Sequence, residues 1–183
     1  MMNAEDVACR FIFDYKGEFI SRLGLPAAST ANELEAALAT RWVIYNPHRM
    51  FPGKVPEAFR YFCKWVFAAS QRGPGRKILY VDEAWKYCSP NAIPEELAIV
   101  VQTGRSEGLE TVFMTQRPNR LNEAILNEVT EYVCFALDGR NAIQTAVDYG
   151  IPAEIPAGLP KGTFYALDEN GRSVQHKLFD PPT

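Results

Sequence analysis

The stretch ILYVDEAW, residues 78–85, sets the fold question for this chain. An apolar run ends abruptly in two adjacent carboxylates, Asp82 and Glu83, and Trp85 follows them. A short apolar run that stops at polar residues indicates a buried β-strand. Its acidic end has two interpretations on these residues alone: a metal and water site, or two solvated carboxylates at a strand terminus.

Strand and helix signals alternate outward from this stretch. Before it come strand signals at 9–13 and 41–47 and helix signals at 29–41 and 56–70; after it, helix signals at 94–108, 119–130 and 141–150 alternate with strand signals at 109–116 and 131–137. Thr30 and Glu33 have the spacing of a capping box at the start of the first predicted helix. Gly108 marks the end of the helix predicted over 94–108.

This alternation predicts an α/β fold with a mainly parallel sheet and helices on both faces. GTFYALDENGRSVQHKLF, residues 162–179, predicts a C-terminal β-hairpin that turns at Asn170-Gly171. The proline-rich segment 151–160 is predicted to be a loop within one domain spanning 1–183. Functional groups in such folds gather where parallel strands end. Six polar residues lie at the ends of predicted strands: Asp14, Asp82, Glu83, Thr115, Gln116 and Asp138.

Composition excludes several classes of protein. The 183 residues are 47% hydrophobic and 22% charged, with a formal net charge of −3, so the chain is globular and carries no global basic field. Cys9, Cys63, Cys88 and Cys134 lack the spacing of a zinc site. Cys9, Cys63 and Cys134 fall in apolar segments and are predicted to be reduced core residues, which favours a cytoplasmic protein. No apolar run reaches membrane length, and no signal peptide is recognisable.

The carboxylate pair suits phosphoryl transfer to water. An aspartate at the end of a buried strand can hold Mg²⁺, and the next residue points elsewhere, so Glu83 is free to polarise a water molecule. The following strand ends in Thr115, Gln116 and Arg117. The amide of Gln116 would sense a γ-phosphate or bind the same water; otherwise it is a strand-end hydrogen bond to a loop.

The chain resembles the HerA/FtsK superfamily of P-loop motor ATPases over about residues 10 to 170. The resemblance lies in four segments: ILYVDEAW, TQRP after GRSEG, FDYKGEF and the C-terminal LPKGTFYAL. That superfamily includes chromosome translocases, conjugation pumps and phage packaging ATPases. The resemblance implies a P-loop NTPase fold of the ASCE/RecA-like kind.

The resemblance also implies roles for individual residues. Asp82 would bind Mg²⁺, Glu83 would be the catalytic base and Gln116 the sensor, with Thr115 and Arg117 near the nucleotide. Arg105, Arg117 and Arg140 are candidate arginine fingers, although each is also compatible with a surface salt bridge. The implied cofactors are ATP and Mg²⁺, and the implied partners are further copies in a ring and double-stranded DNA.

One element of that superfamily is not found. A Walker A motif needs G-x-x-x-x-G-K-[ST] between a strand and a helix. FPGKVP has Val55 where the hydroxyl belongs, and QRGPGRKI precedes a strand. We therefore expect a single ATPase-like domain without its N-terminal P-loop strand and helix. Three explanations stay open: a truncated ATPase, a natural variant that has lost hydrolysis, or a P-loop supplied by another chain.

Three functions follow. The first is an ATP-driven motor for DNA translocation or genome packaging, and the second is a catalytically inactive structural or regulatory subunit with the same fold. The third is an assembly ATPase of filamentous phage of the zonular-occludens-toxin type, against which the missing membrane segment argues. The basic segments NPHRMFPGK and SQRGPGRK would face DNA in the motor, or are solvated loops.

Overall fold

The computed structural model describes residues 6–168, 170 and 173–177. These residues group into two compact units, one ending at Thr115 and one beginning at Gln116, each with its own sheet. The expectation of one domain over 1–183 stays a prediction. No helix in the described ranges is both long enough and apolar enough to span a bilayer.

The first unit is a parallel sheet with helices between its strands. Along the chain it contains β1 (Val7–Phe13), α1 (Glu18–Leu23), α2 (Ala31–Ala37), β2 (Trp42–Tyr45), α3 (Val55–Ser70), β3 (Arg76–Val81), α4 (Glu95–Thr103) and β4 (Leu109–Phe113). The strands lie in the order β2-β1-β3-β4, and every neighbouring pair is parallel. The predicted α/β class is confirmed.

Local sequence signals explain where these helices begin and end. The Thr30 hydroxyl accepts a hydrogen bond from the Glu33 amide, while a Glu33 carboxylate oxygen accepts one from the Ser29 amide, so α2 begins at the predicted cap. A short 3-10 turn, Gly104–Glu107, extends the region of α4, and Gly108 ends it with a left-handed backbone. Helix α1 is additional to the turn predicted after β1.

The core of the first unit is largely aromatic. Four large apolar side chains of this core are at most 1% exposed: Phe11, Phe59, Phe62 and Leu79. Phe13 packs edge-to-face on Phe59, with ring centroids 5.3 Å apart. Cys9, Cys63 and Cys134 are buried, as predicted, and Cys88 is buried as well. This packing anchors β1 and β3 at the centre of the sheet, so the residues that follow these two strands are firmly placed.

The second unit is built around an antiparallel sheet. It contains α5 (Glu123–Leu126), β5 (Tyr132–Cys134), α6 (Arg140–Asp148), α7 (Ile155–Gly158), β6 (Thr163–Leu167) and β7 (Ser173–Lys177). The strand order is β5-β6-β7, with both neighbouring pairs antiparallel. The predicted C-terminal hairpin is confirmed as β6 and β7, although Gly171 of its predicted turn lies outside the described residues.

The second unit departs from the sequence-based prediction in three places. Strand β5 pairs antiparallel with β6 instead of extending a parallel sheet, because its buried Cys134 packs with Tyr165 of β6 and with Ile151 and Leu159. Segment 151–160 contains the short helix α7 and is therefore more than a loop. The helix predicted over 119–130 is reduced to one turn, capped by the Asn122 side chain.

Candidate functional site

The first candidate site lies where the chain reverses its direction of travel across the sheet. From β1 the chain moves to β2 on one side, and it then returns past β1 to place β3 on the other side. Parallel sheets bind ligands at such a switch point, in the crevice at the carboxyl ends of the strands. Asp14 directly follows β1, and Asp82 and Glu83 directly follow β3.

The turn after β3 holds Glu83 in an unusual conformation. Its φ of 49° and ψ of 44° lie in the left-handed region, which residues other than glycine, asparagine and aspartate seldom occupy. The Ala84 amide donates to the Met114 carbonyl (3.1 Å), and the Met114 amide donates to the Val81 carbonyl (2.9 Å). These bonds tie the turn to the chain after β4, and backbone strain maintained in this way is a recurrent feature of functional sites.

The Glu83 carboxylate is also fixed through its side chain. The Trp85 indole N–H donates a hydrogen bond to Oε2 of Glu83, and the Lys86 ammonium lies 5.7 Å from the centre of the Trp85 ring. One carboxylate oxygen is thus anchored within the turn. This hydrogen bond from Trp85 sets the orientation of the Glu83 side chain. The sequence alone did not predict this contact.

Asp82 and Glu83 line a cavity of about 370 Å³, here called the carboxylate cavity. Its wall includes Asp14, Tyr87, Lys16 and Lys86, and the start of α3 at Val55 and Pro56. Tyr87 stacks on Phe59 with ring centroids 4.3 Å apart. Burial raises the pKa of Tyr87, and the neighbouring charges of Asp82 and Glu83 raise it further, so this phenol remains protonated and neutral.

Lys16 and Lys86 bring positive charge to this cavity. Lys16 Nζ lies 3.3 Å from Glu18 Oε1, and that hydrogen bond raises the pKa of Lys16; the charges of Asp82 and Glu83 also contribute. Sequence reasoning assigned no role to either lysine. The position of Lys16 within FDYKGEF is the signal that could have identified it as a residue of the site. For Lys86 the signal is its place three residues after Glu83, on the same turn.

Asp14 has a structural task in this cavity. It is 3% exposed, and its two oxygens accept hydrogen bonds from the amides of Glu18 (3.0 Å) and Ile20 (2.9 Å) at the start of α1. With both oxygens engaged in holding α1, Asp14 contributes to the shape of the site. Glu18 also lines the cavity and pairs with Lys16, and Asp82 and Glu83 are the two further carboxylates of its lining.

The donor set is compatible with Mg²⁺ in a nucleotide site. The residues that the structure describes contain no group of three or more His, Cys, Asp or Glu side chains able to enclose a metal. Mg²⁺ in such sites keeps several waters and takes only one or two carboxylates, with phosphate oxygens completing its shell. Asp82 would supply one such carboxylate.

The remaining predicted residues fall in three places. Thr115 is the last residue of the first unit, directly after Met114. Arg105 lies in the turn before β4 and hence at the amino ends of the parallel strands, the opposite edge from Asp82 and Glu83. Gln116, Arg117 and Arg140 belong to the second unit, where they line one open cleft.

The basic segments proposed for DNA contact are largely engaged in ion pairs within the first unit. Arg49 Nη1 lies 3.4 Å from Glu33 Oε1, and Arg72 Nη1 lies 2.5 Å from Glu35 Oε2. Arg76 makes two hydrogen bonds of 2.6 Å to the carboxylate of Glu110. Their charge is therefore partly compensated on the protein itself.

Solved structures share this fold. The genome packaging NTPase B204 from Sulfolobus turreted icosahedral virus 2, solved with AMPPCP, matches with a TM-score of 0.69 and 20% identity over 96% of this chain and 85% of B204. B204, the DNA-packaging ATPase from Sulfolobus turreted icosahedral virus, matches with a TM-score of 0.64 and 18% identity, over 97% of this chain and 85% of B204.

A third match is the bacterial conjugative coupling protein TrwB, with a TM-score of 0.55 and 15% identity over 75% of this chain and 40% of TrwB. No family model matches this chain, and no curated protein matches it either. At these identities the matches establish the fold, and that fold agrees with the P-loop motor ATPase resemblance of the sequence.

Proposed function

We propose that this chain is the ATPase-fold part of an ATP-driven DNA motor for translocation or genome packaging. The observation that carries the proposal is the carboxylate cavity: Asp82 and Glu83 follow a central strand at the switch point of the sheet and face a cavity that contains two lysines. The fold shared with a genome packaging NTPase solved with AMPPCP and ATP-gammaS supports the same function.

The proposed chemistry assigns separate tasks to the two carboxylates. Asp82 would hold Mg²⁺, and this ion would supply positive charge against the phosphate oxygens. Glu83 accepts a proton from the attacking water, with its orientation set by Trp85. Gln116 orients the water or contacts the γ-phosphate, and Thr115 and Arg117 lie near the nucleotide.

The proposed assembly is a ring of identical chains around double-stranded DNA. In such a ring an arginine of one chain completes the site of the next. Arg105 lies at the sheet edge opposite its own carboxylates, so any role of Arg105 as a finger would be played in a neighbouring subunit. Arg140 and Arg117 are the other candidates.

A second candidate function is a catalytically inactive ATPase-fold subunit. It is favoured by the sequence, in which neither FPGKVP nor QRGPGRKI meets the Walker A pattern. Gly53 and Lys54 directly precede α3, in the strand–loop–helix order of a P-loop, but Pro56 removes one of the amides that would bind phosphate.

ATP turnover of the chain with and without a Walker A segment tests these two functions. We expect the chain alone to hydrolyse ATP slowly or not at all, because positioning of the phosphates carries most of the catalysis. Fusion of a strand–P-loop–helix segment before Asp6 should produce turnover, and Glu83→Gln should then lower kcat about a hundredfold or more, since a general base contributes that much.

Two results would decide against the motor. Turnover that Glu83→Gln leaves unchanged would show that the carboxylate cavity is not the reaction site. A folded fusion chain that binds ATP without hydrolysing it would instead favour the inactive subunit.

A further inference from the structure

The second unit contains a cleft of about 540 Å³, here called the arginine cleft. It is formed by the turn at Pro118–Arg120 and by the chain from Asp138 into the start of α6. The side chains that carry its chemistry are three arginines and three amides: Arg117, Arg120, Arg140, Gln116, Asn119 and Asn141. Asp138 also lines it, so the arginines leave a net positive charge.

The start of α6 adds further donors to this cleft. The first backbone bond within the helix runs from the Ile143 amide to the Gly139 carbonyl, so the amides of the first turn before Ile143 have no acceptor inside the helix. The first turn contains no acidic residue, and no side chain caps it. Gly139 has a φ of 94°, and a Cβ at this position would meet no atom within 4 Å, so the backbone is openly accessible.

Arg140 is available to an external anion. It is exposed, and it takes part in none of the ion pairs formed among the described residues. Arg49, Arg72 and Arg76 of the first unit, by contrast, are each held by a glutamate. The arginine cleft is therefore a better candidate for a nucleic-acid contact than the two basic loops that the sequence suggested.

The composition of the cleft matches one kind of ligand. Arginine, asparagine and glutamine side chains together with helix amino termini are the groups that contact phosphate and sugar in protein–DNA interfaces. None of the described residues that line the cleft is aromatic, so this lining offers no platform on which unpaired bases would stack. Its open, exposed lining suits a polymer that lies across it.

We propose that the arginine cleft binds the phosphate backbone of duplex DNA without sequence preference, with Arg140 and the start of α6 as the central contact. This inference rests on the proposed function in taking DNA as the partner. It assigns Arg140 to DNA and not to the nucleotide site of a neighbouring subunit, so Arg105 and Arg117 remain the candidate fingers. DNA binding at this cleft requires no nucleotide hydrolysis.

Fluorescence anisotropy of a labelled DNA duplex with the full chain, in EDTA and without nucleotide, tests the proposal. At about 50 mM salt, Arg140→Gln should weaken binding roughly tenfold, and the slope of log K against log salt should fall by about one, as for the loss of one phosphate contact. Lys161→Gln removes the same charge from an exposed site in the same unit and should stay within about twofold.

Asn141→Asp provides an independent test. A carboxylate in the first turn of α6 stabilises the helix through its dipole but repels phosphate. We expect an unchanged or higher thermal midpoint together with binding weakened by about tenfold. This combination separates a damaged cleft from a damaged fold.

Three outcomes would overturn the proposal: no binding of the duplex by the wild-type chain, equal affinities for wild type, Arg140→Gln and Asn141→Asp, or tighter binding of the matching single strand than of the duplex. Failure of the ATPase test leaves these measurements unaffected, because they contain neither nucleotide nor Mg²⁺.

Discussion

Glu83 combines a strained backbone with a position in the carboxylate cavity. A left-handed conformation costs an L-residue roughly 1–2 kcal/mol, and glycine avoids this cost but loses about 0.5–1 kcal/mol of backbone entropy on folding. The turn holds this strain through the bond between Ala84 and Met114. Retaining a glutamate here is therefore unfavourable for folding and makes sense if its carboxylate is used.

We predict that Glu83→Gly leaves the free energy of unfolding unchanged or raises it by up to about 1 kcal/mol, although it removes the proposed base. Urea unfolding at neutral pH measures this. Arg41→Gly is the matched control, because Arg41 is the other non-glycine residue with positive φ among the described residues, at 62°. A loss of stability in Glu83→Gly alone would mean that the bond from Trp85 outweighs the strain.

At the scale of elements, the amino ends of β3 and β4 meet at an unusually close backbone approach. A Cβ on Gly108 would lie 2.8 Å from the Gly75 carbonyl oxygen, and Gly108 has a φ of 68°. Beside it, Lys77 is only 5% exposed, and its ammonium donates to the carbonyls of Gly73 (2.6 Å) and Glu107 (3.0 Å). These contacts fix the register of the two strands from the end opposite the carboxylates.

We predict that Gly108→Ala destabilises the chain by about 2 kcal/mol or more, because it adds both a left-handed alanine and a clash with backbone. Gly73→Ala, whose Cβ would meet nothing within 4 Å, should change stability by less than about 0.5 kcal/mol. Thermal and urea unfolding of the pair provide the comparison. Equal losses of stability in Gly108→Ala and Gly73→Ala would contradict the close approach of Gly108 to the Gly75 carbonyl.

At the scale of the whole molecule, buried acids of high pKa limit stability in alkali. Burial raises the pKa of Cys9 to about 11, of Cys88 to about 12 and of Tyr132 to about 12, from 9.0 for the thiols and 10.0 for the phenol. The unfolded chain loses these protons at a lower pH than the folded chain does. The contribution of these groups to the free energy of unfolding is therefore fully present well below pH 9, the pKa of the unfolded thiols. It is lost as the pH rises towards 12.

We predict that the urea midpoint is constant from pH 7 to about 8.5 and then falls, with each such group contributing at most about 1.4 kcal/mol per pH unit. Cys88→Ala should make the alkaline decline shallower, since it removes one titrating group. An equally steep decline in this variant would show that the Cys88 thiol is not the source.

The sequence by itself determined the α/β class of the fold and the pair of carboxylates, Asp82 and Glu83, that follows a buried strand. Hydrophobic period and turn residues are local signals, so the strand that precedes Asp82, the cap at Thr30 and the glycine stop at Gly108 could be predicted. The pairing of β5 with β6 could not, because strand pairing depends on which distant apolar side chains share a core.

Only the tertiary structure decided which residues meet. Parallel pairing brings the ends of β1 and β3 together across almost seventy residues, and this places Lys16 beside Asp82 and Glu83. The same holds for Arg117 and Arg140, which share a cleft although a strand separates them in sequence. Such contacts follow from packing of the whole unit, and no local pattern of residues encodes them.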